Sequence, residues 1–234
     1  MARPQPPQQP PPVQRLRIRY AKRGPARFAS HRDFSRAFER ALRRANVPMA
    51  YSSGFHPHPR ISFANASPTS AATEAEYVEI GLAQVCDPAA VRDALNDAMP
   101  PGMPVLDVVE ATPGTSLGEL LTASTWRLEC RGADADVLAR ALDALLAAPT
   151  LVVERETRKG TRRIDVREPL LRASASGTSI DLLLRHTTPL VRPDDVASAL
   201  ASLEPSLSGT FLVTRLVQGT LAADGSLVDP IGTA

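Results

Sequence analysis

The sequence predicts an α+β fold with antiparallel sheets, built as two successive halves, and three observations predict it. Short runs alternate apolar and polar residues, as half-buried strands do. Between them lie segments with apolar residues at 3/4 spacing, each opened by a capping residue or a proline. The order strand, helix, strand, strand, helix, strand runs from residue 14 to 112 and returns between residues 123 and 220.

Residues 1–13, MARPQPPQQPPPV, are a Pro/Gln tail expected to be disordered. Leu16, Ile18 and Tyr20 alternate with Arg15, Arg17 and Arg19, which predicts a strand with one buried face and one strongly basic face. Gly24-Pro25 breaks it. Ser30 followed by Asp33 matches a capping box and opens a helix whose buried stripe is Phe34, Ala37, Phe38, Ala41, Leu42 and Ala45. Arg32, Arg36, Arg40, Arg43 and Arg44 lie mainly off that stripe. After Asn46 and Pro48 comes a Gly/Pro/His loop, SSGFHPHPR, then a short strand, ISFA, and a second strand over Ala75–Leu82. Asp87-Pro88 begins a helix to about Met99, and Val105–Val109 gives one more strand. This is the split βαβ pattern of a ferredoxin-like domain, with both helices on one face of the sheet and the other face left open.

A linker over residues 113–122 precedes the second half. Trp126–Cys130 reads as a strand and Asp134–Ala147 as a helix. Leu151–Thr157 and Arg162–Arg167 form a hairpin across Arg158-Lys159-Gly160. Leu170–Ala173 and Ile180–Leu184 are strands, Pro193–Leu203 is a helix, and Phe211–Val217 is the last strand before a tail at 221–234. The expectation is a tandem ferredoxin-like pair with a hairpin inserted in the second.

Charge is distributed unevenly. Of the 234 residues, 27 are Lys or Arg and 25 are Asp or Glu. Twelve of those cations fall between Arg15 and Arg60, against two acids, Asp33 and Glu39. From Ile61 onward acids exceed bases by twenty-three to fourteen. Clustered arginine on a strand face and a helix is the footprint phosphate contacts require, so nucleic acid, RNA above all, is the expected ligand. The expected phosphate contacts are Arg17, Arg19, Arg32, Arg36, Arg40, Arg43 and Arg60. Tyr20, Tyr51, Phe55 and Phe63 are the aromatics able to stack on bases, at least two of them expected in the core instead. A pocket is expected from Ser30, His31, Tyr51, Phe55 and His58: the helix start favours anions, and the Pro-locked loop presents imidazoles and Arg60. His31 and His58 are the candidate general acid or base should the chain cleave RNA without a metal. A third reading keeps the basic face for an acidic protein partner. A smaller basic patch, Arg155, Arg158, Lys159, Arg162 and Arg163, sits at the hairpin tip.

Several classes are excluded or disfavoured. Walker and G-x-G-x-x-G motifs are absent. Cys86 and Cys130, far apart in apolar stretches, are expected as reduced thiols, and no metal site is expected. No apolar run approaches the roughly 20 residues that cross a bilayer, and the N-terminus lacks a signal-like apolar core, so the chain is expected in the cytoplasm and off the membrane.

The words GPARFASHRDFSRAFERALRRANVPMAYSSGFHPHPRISFA and AEYVEIGL resemble the signature of a bacterial protein family encoded beside, or fused to, a radical-SAM protein. That family's usual pattern reads S-H-L-D and F-N-P-H-P; Arg32 stands for the apolar residue here and His56 for the Asn, which leaves His58 the better candidate. The resemblance implies a radical-SAM partner enzyme that brings its own iron–sulfur cluster and S-adenosylmethionine, this chain binding neither alone. At the level of architecture only, a looser similarity is to tandem ferredoxin-like RNA endonucleases that process CRISPR repeats.

Overall fold

The computed structural model describes residues 7–157 and 160–232. The chain forms two compact units, one of Met1–Leu120 with Pro230–Ala234 and one of Leu121–Asp229. Both are mixed α+β with antiparallel strand pairs.

In the first unit, β1 (Gln14–Lys22) lies between β4 (Val105–Glu110) and β3 (Ala72–Leu82), and β2 (Ile61–Ala64) pairs with the far edge of β3. The order across the sheet is β4-β1-β3-β2, every pair antiparallel. Register opposes Leu16 to Ile80 and Ile18 to Val78, which puts their apolar side chains on one face. Against that face pack α1 (His31–Arg44) through Phe34, Phe38, Ala41 and Leu42, and α2 (Pro88–Ala98) through Val91, Leu95 and Ala98. Tyr20 and Phe34 stack with centroids 3.9 Å apart, and Phe63 meets Phe34 and Phe38 edge-on. Asn96 fastens β4 to α2, donating to Val105 O and accepting from Val105 N, both at 2.9 Å.

In the second unit the order is β10-β5-β9-β8: β5 (Ala123–Arg131) lies between β10 (Thr210–Leu221) and β9 (Ser179–Arg185), and β8 (Leu170–Ser176) pairs with β9. Two helices, α4 (Ala135–Ala147) and α5 (Pro193–Leu203), bury Leu138, Leu142, Leu145, Val196, Ala199 and Leu200. The inserted hairpin, β6 (Val152–Thr157) with β7 (Gly160–Asp165), is tied to α5 by a buried fork. The Arg155 guanidinium grips the Asp195 carboxylate, with Nε donating to Oδ1 at 2.8 Å, and also donates to Leu190 O.

The unit boundaries differ from those expected of residues 113–122 and 221–234. The stretch read as a linker carries a short helix, α3 (Leu117–Leu120), with Leu117 buried, and the division falls after it. The stretch read as a C-terminal tail extends β10, adds β11 (Leu227–Val228) beside it and returns to the first unit, where Ile231 is buried. In the same way, residues 7–13 of the tail are not loose. Val13 N donates to Leu82 O at 2.9 Å, and Pro12 sits over Gly81, where an added Cβ would meet its Cγ at 2.8 Å.

Candidate nucleic-acid interface

The first helix carries the basic surface. Its start is set as expected: Ser30 Oγ accepts from Asp33 N at 3.2 Å, and the Asp33 carboxylate takes the Ser30 N–H and hydroxyl in return. Those two bonds from Ser30, hydroxyl first, hold the Asp33 carboxyl below its usual range. From this anchor the phenylalanines fix the helix rotation, and Arg32, Arg36, Arg40 and Arg43 emerge exposed on the opposite side. At 100° and 1.5 Å per residue the four fall within an arc of about 80° along roughly 16 Å of helix. Arg43 makes a long pair with Glu39 at 3.7 Å, whereas Arg32, Arg36 and Arg40 pair with no described carboxylate. Like charges four residues apart each destabilise a helix by about 0.2–0.5 kcal/mol, so this spacing works against the helix that displays it.

The expected basic face of β1 is largely consumed inside the unit. Arg17 is only 3% exposed. Its Nε donates to Glu79 Oε2 at 3.2 Å, Nη2 to Thr115 O at 2.6 Å and Nη1 to Pro230 O at 3.4 Å. Arg19 is half-buried, its Nε donating to Asp107 at 2.6 Å. The outer face of the strand is therefore not the open phosphate-binding surface that its alternation suggests, because the segment after β4 and the C-terminal return fold over it. Arg17 and Arg19 are spent on protein carboxylates and carbonyls, a correction to their expected role.

The Gly/Pro/His loop folds back as a hairpin. Ser52 N donates to His58 O at 2.8 Å, His58 N donates to Ser52 Oγ at 3.0 Å, and Tyr51 bridges to Pro59. Gly54 turns the loop at φ +122°, a value L side chains rarely adopt. Beyond the turn, Arg60 N reaches Ala50 O and Arg60 Nε donates to Tyr51 O at 3.2 Å, so the loop is braced from both ends. Between it and the second half of α1 lies a cleft of about 230 Å³, lined by Leu42, Met49, Tyr51, Pro57 and Pro59 with Glu39 and Arg43. Tyr51 is 41% exposed beside it. Arg43 belongs to both the stripe and the cleft. Arg60 lines a different groove, with Arg15, Glu79 and Gly81.

The five residues expected to share a pocket do not all meet. Tyr51 lines the cleft; Ser30 and His31 sit at the far end of α1, about 16 Å of helix from Leu42. The helix start is already occupied by the Asp33 carboxylate, which fills the place an anion would take. His31 is exposed and rests edge-on against Phe63 at 4.8 Å between centroids. His58 holds the loop through its backbone with its side chain in solvent, and Phe55, 57% exposed, stands at the loop tip. Of the four aromatics considered for stacking, Tyr20 and Phe63 belong to the aromatic core, and Tyr51 and Phe55 remain at the surface. Glu39, Leu42, Met49, Pro57 and Pro59 were not legible as a site. The one signal was Pro57 and Pro59 flanking His58, which stiffens a wall.

At the second basic patch Arg155 is taken by Asp195, Arg162 and Arg163 are exposed, and Arg158 and Lys159 lie outside the described residues. Among the described residues no three His, Cys, Asp or Glu side chains converge as metal ligands, and both cysteines are free thiols. Burial pushes the Cys130 thiol up. No described helix is long and apolar enough to cross a membrane.

Residues 15–193 match the family described as "Uncharacterized protein conserved in bacteria (DUF2344)". No curated protein matches the chain. Among solved structures it is similar to the crystal structure of an unknown protein from Galdieria sulphuraria, at 15% identity over 86% of this chain and 98% of that one; the TM-score, 0.27, is too low to carry an argument.

Proposed function

We propose that this chain, which belongs to the DUF2344 family of uncharacterized proteins conserved in bacteria, is an RNA-binding accessory protein that presents a structured RNA, a tRNA or rRNA, to a radical-SAM partner enzyme. The observation that carries the RNA half is the stripe of Arg32, Arg36, Arg40 and Arg43, exposed on one face of α1 and all but unpaired. Surface arginines that fold to no carboxylate leave their guanidinium forks open for phosphate oxygens, and rigid display on a helix limits the ordering cost of binding. Arg60, exposed at the end of the loop, lines a separate groove with Arg15.

The partner half rests on the likeness of the Ser30–Asp33 and Phe55–Pro59 words to radical-SAM-linked proteins; iron–sulfur and S-adenosylmethionine chemistry would belong to that partner. We also read each unit as ferredoxin-like, a reading supported by the strand order in each: the strand that closes the unit, the first strand, the third and the second, with two helices packed on the sheet.

The test is crosslinking of the purified protein to cellular RNA, with sequencing of what is recovered and an Arg36→Glu/Arg40→Glu variant beside it. Enrichment of one RNA class by the wild type and not by the variant is the expected result and names the substrate. No enrichment above background by either sinks the RNA reading and leaves the basic helix to an acidic protein partner.

A further inference from the structure

We infer that the cleft between α1 and the Pro57–Pro59 loop receives a single unpaired nucleobase, so that the RNA contacted by the arginine stripe is held at a loop, bulge or strand end rather than along a duplex. The inference rests on the RNA reading above and adds the class of RNA element recognised. Three features carry it. The lining is mixed, and its apolar part comes from Tyr51, two prolines, Leu42 and Met49 around about 230 Å³. The pocket is held in shape before any ligand arrives, because the Ser52–His58 bonds, the Tyr51–Pro59 bridge and the Arg60–Ala50 bond fix the loop backbone. The charge is complementary and adjacent. Arg43 lines the cleft, and Arg40 and Arg36 lie about one and two helical turns before it, where the backbone of a nucleotide leading into the cleft would run.

A base paired inside a helix has both faces covered and its edge engaged, so only a splayed-out base can enter such a pocket. The cleft's one acid gives a preference among bases. Glu39 is an acceptor, and among the described residues its carboxylate is held by the long 3.7 Å pair with Arg43. An ionised carboxylate accepts hydrogen bonds and donates none, so it favours bases that present an amino group, cytosine, adenine or guanine, over uracil, which presents carbonyl oxygens on either side of one N–H.

The experiment measures binding of the full chain to a fluorescent single-stranded RNA and to the same strand paired with its complement, at several salt concentrations. Stacking of one base on an aromatic ring corresponds to roughly 5- to 150-fold in affinity. The wild type is expected to prefer the single strand by about tenfold. Tyr51→Ala is expected to erase that preference while keeping salt-dependent binding to both forms, and Tyr51→Phe, which retains the ring, to keep it. Glu39→Gln is expected to narrow the difference between oligomers of cytosine and of uracil. Equal binding of single strand and duplex by the wild type, or a preference that Tyr51→Ala leaves intact, overturns the base pocket while leaving the arginine footprint standing. No binding of either RNA overturns both. Circular dichroism of Tyr51→Ala shows whether a loss reflects the ring or the fold; Tyr51→Phe behaving like Tyr51→Ala also counts against stacking.

Discussion

His186 shows how much a single residue's chemistry depends on partners distant in sequence. Its Nδ1 lies 2.7 Å from Leu121 O, which can only accept, so Nδ1 carries the proton; Nε2, 2.6 Å from Ser124 Oγ, then accepts from the serine hydroxyl. The ring is held neutral: burial pushes its pKa down, the hydrogen bond to the Leu121 carbonyl pulls it partly back up, and the nearby Arg215 adds a smaller downward push. With the folded pKa below the unfolded value of about 6.5, the contribution to stability is complete above that pH. It is lost as pH falls, because the unfolded chain takes up a proton that the folded one resists. Urea midpoints measured between pH 7.5 and 5 should fall more steeply for the wild type than for His186→Gln; parallel curves would show that this ring does not titrate differently on folding. Ser30 yields a second expectation at this scale. Ser30→Ala removes the acceptor for Asp33 N and should cost about 1 kcal/mol, seen as a lower urea midpoint with an unchanged slope.

Within α1 the buried and exposed faces make opposed demands. Phe34, Phe38 and Leu42 supply the burial that holds the helix, while Arg32, Arg36, Arg40 and Arg44 repeat one charge at four-residue spacing with little relief from Glu39. Arg40→Glu should therefore move two properties in opposite directions. It replaces repulsions with Arg36 and Arg44 by attractions, so the thermal midpoint should hold or rise. Removing a phosphate contact should also weaken RNA binding and reduce the dependence of log affinity on log salt by about 0.7 for a single strand or 0.9 for a duplex. A variant that loses stability and keeps its RNA affinity would refute the view that the stripe exists for an anionic ligand.

The units differ in how the chain builds them. The first is completed by residues from the C-terminus: Pro230 O accepts from Arg17, and Ile231 is 7% exposed. Ile231→Ala should cost on the order of 2 kcal/mol or more by loss of buried side chain, and ending the chain at Asp229 should cost further by uncovering one bond of the Arg17 fork. Equilibrium unfolding of both variants checks this. If neither differs from wild type, the return segment lies on the unit without stabilising it.

What the sequence determined by itself was local. Period-two and 3/4 patterns, the Ser30–Asp33 box and the proline breaks placed β1, α1, α2, α4 and α5 to within a residue or two, because backbone hydrogen bonding and side-chain direction are set by neighbours a few positions away. The arginine stripe of α1 was legible for the same reason: helical spacing alone puts the cations opposite the phenylalanines. Tertiary structure decided which charges remain available. Arg17 and Arg19 read like Arg36 and Arg40, yet Glu79, Thr115, Pro230 and Asp107, between 62 and 213 positions away, claim the first pair, while among the described residues no hydrogen bond or ion pair holds the second. It also divided the expected pocket, because Ser30 and Tyr51 attach near opposite ends of one helix, and it built the cleft from residues whose only sequence mark was a pair of prolines. Composition counts charges, but whether a charge reaches solvent depends on what folds over it, and that covering is made by long-range contacts that local periodicity does not encode.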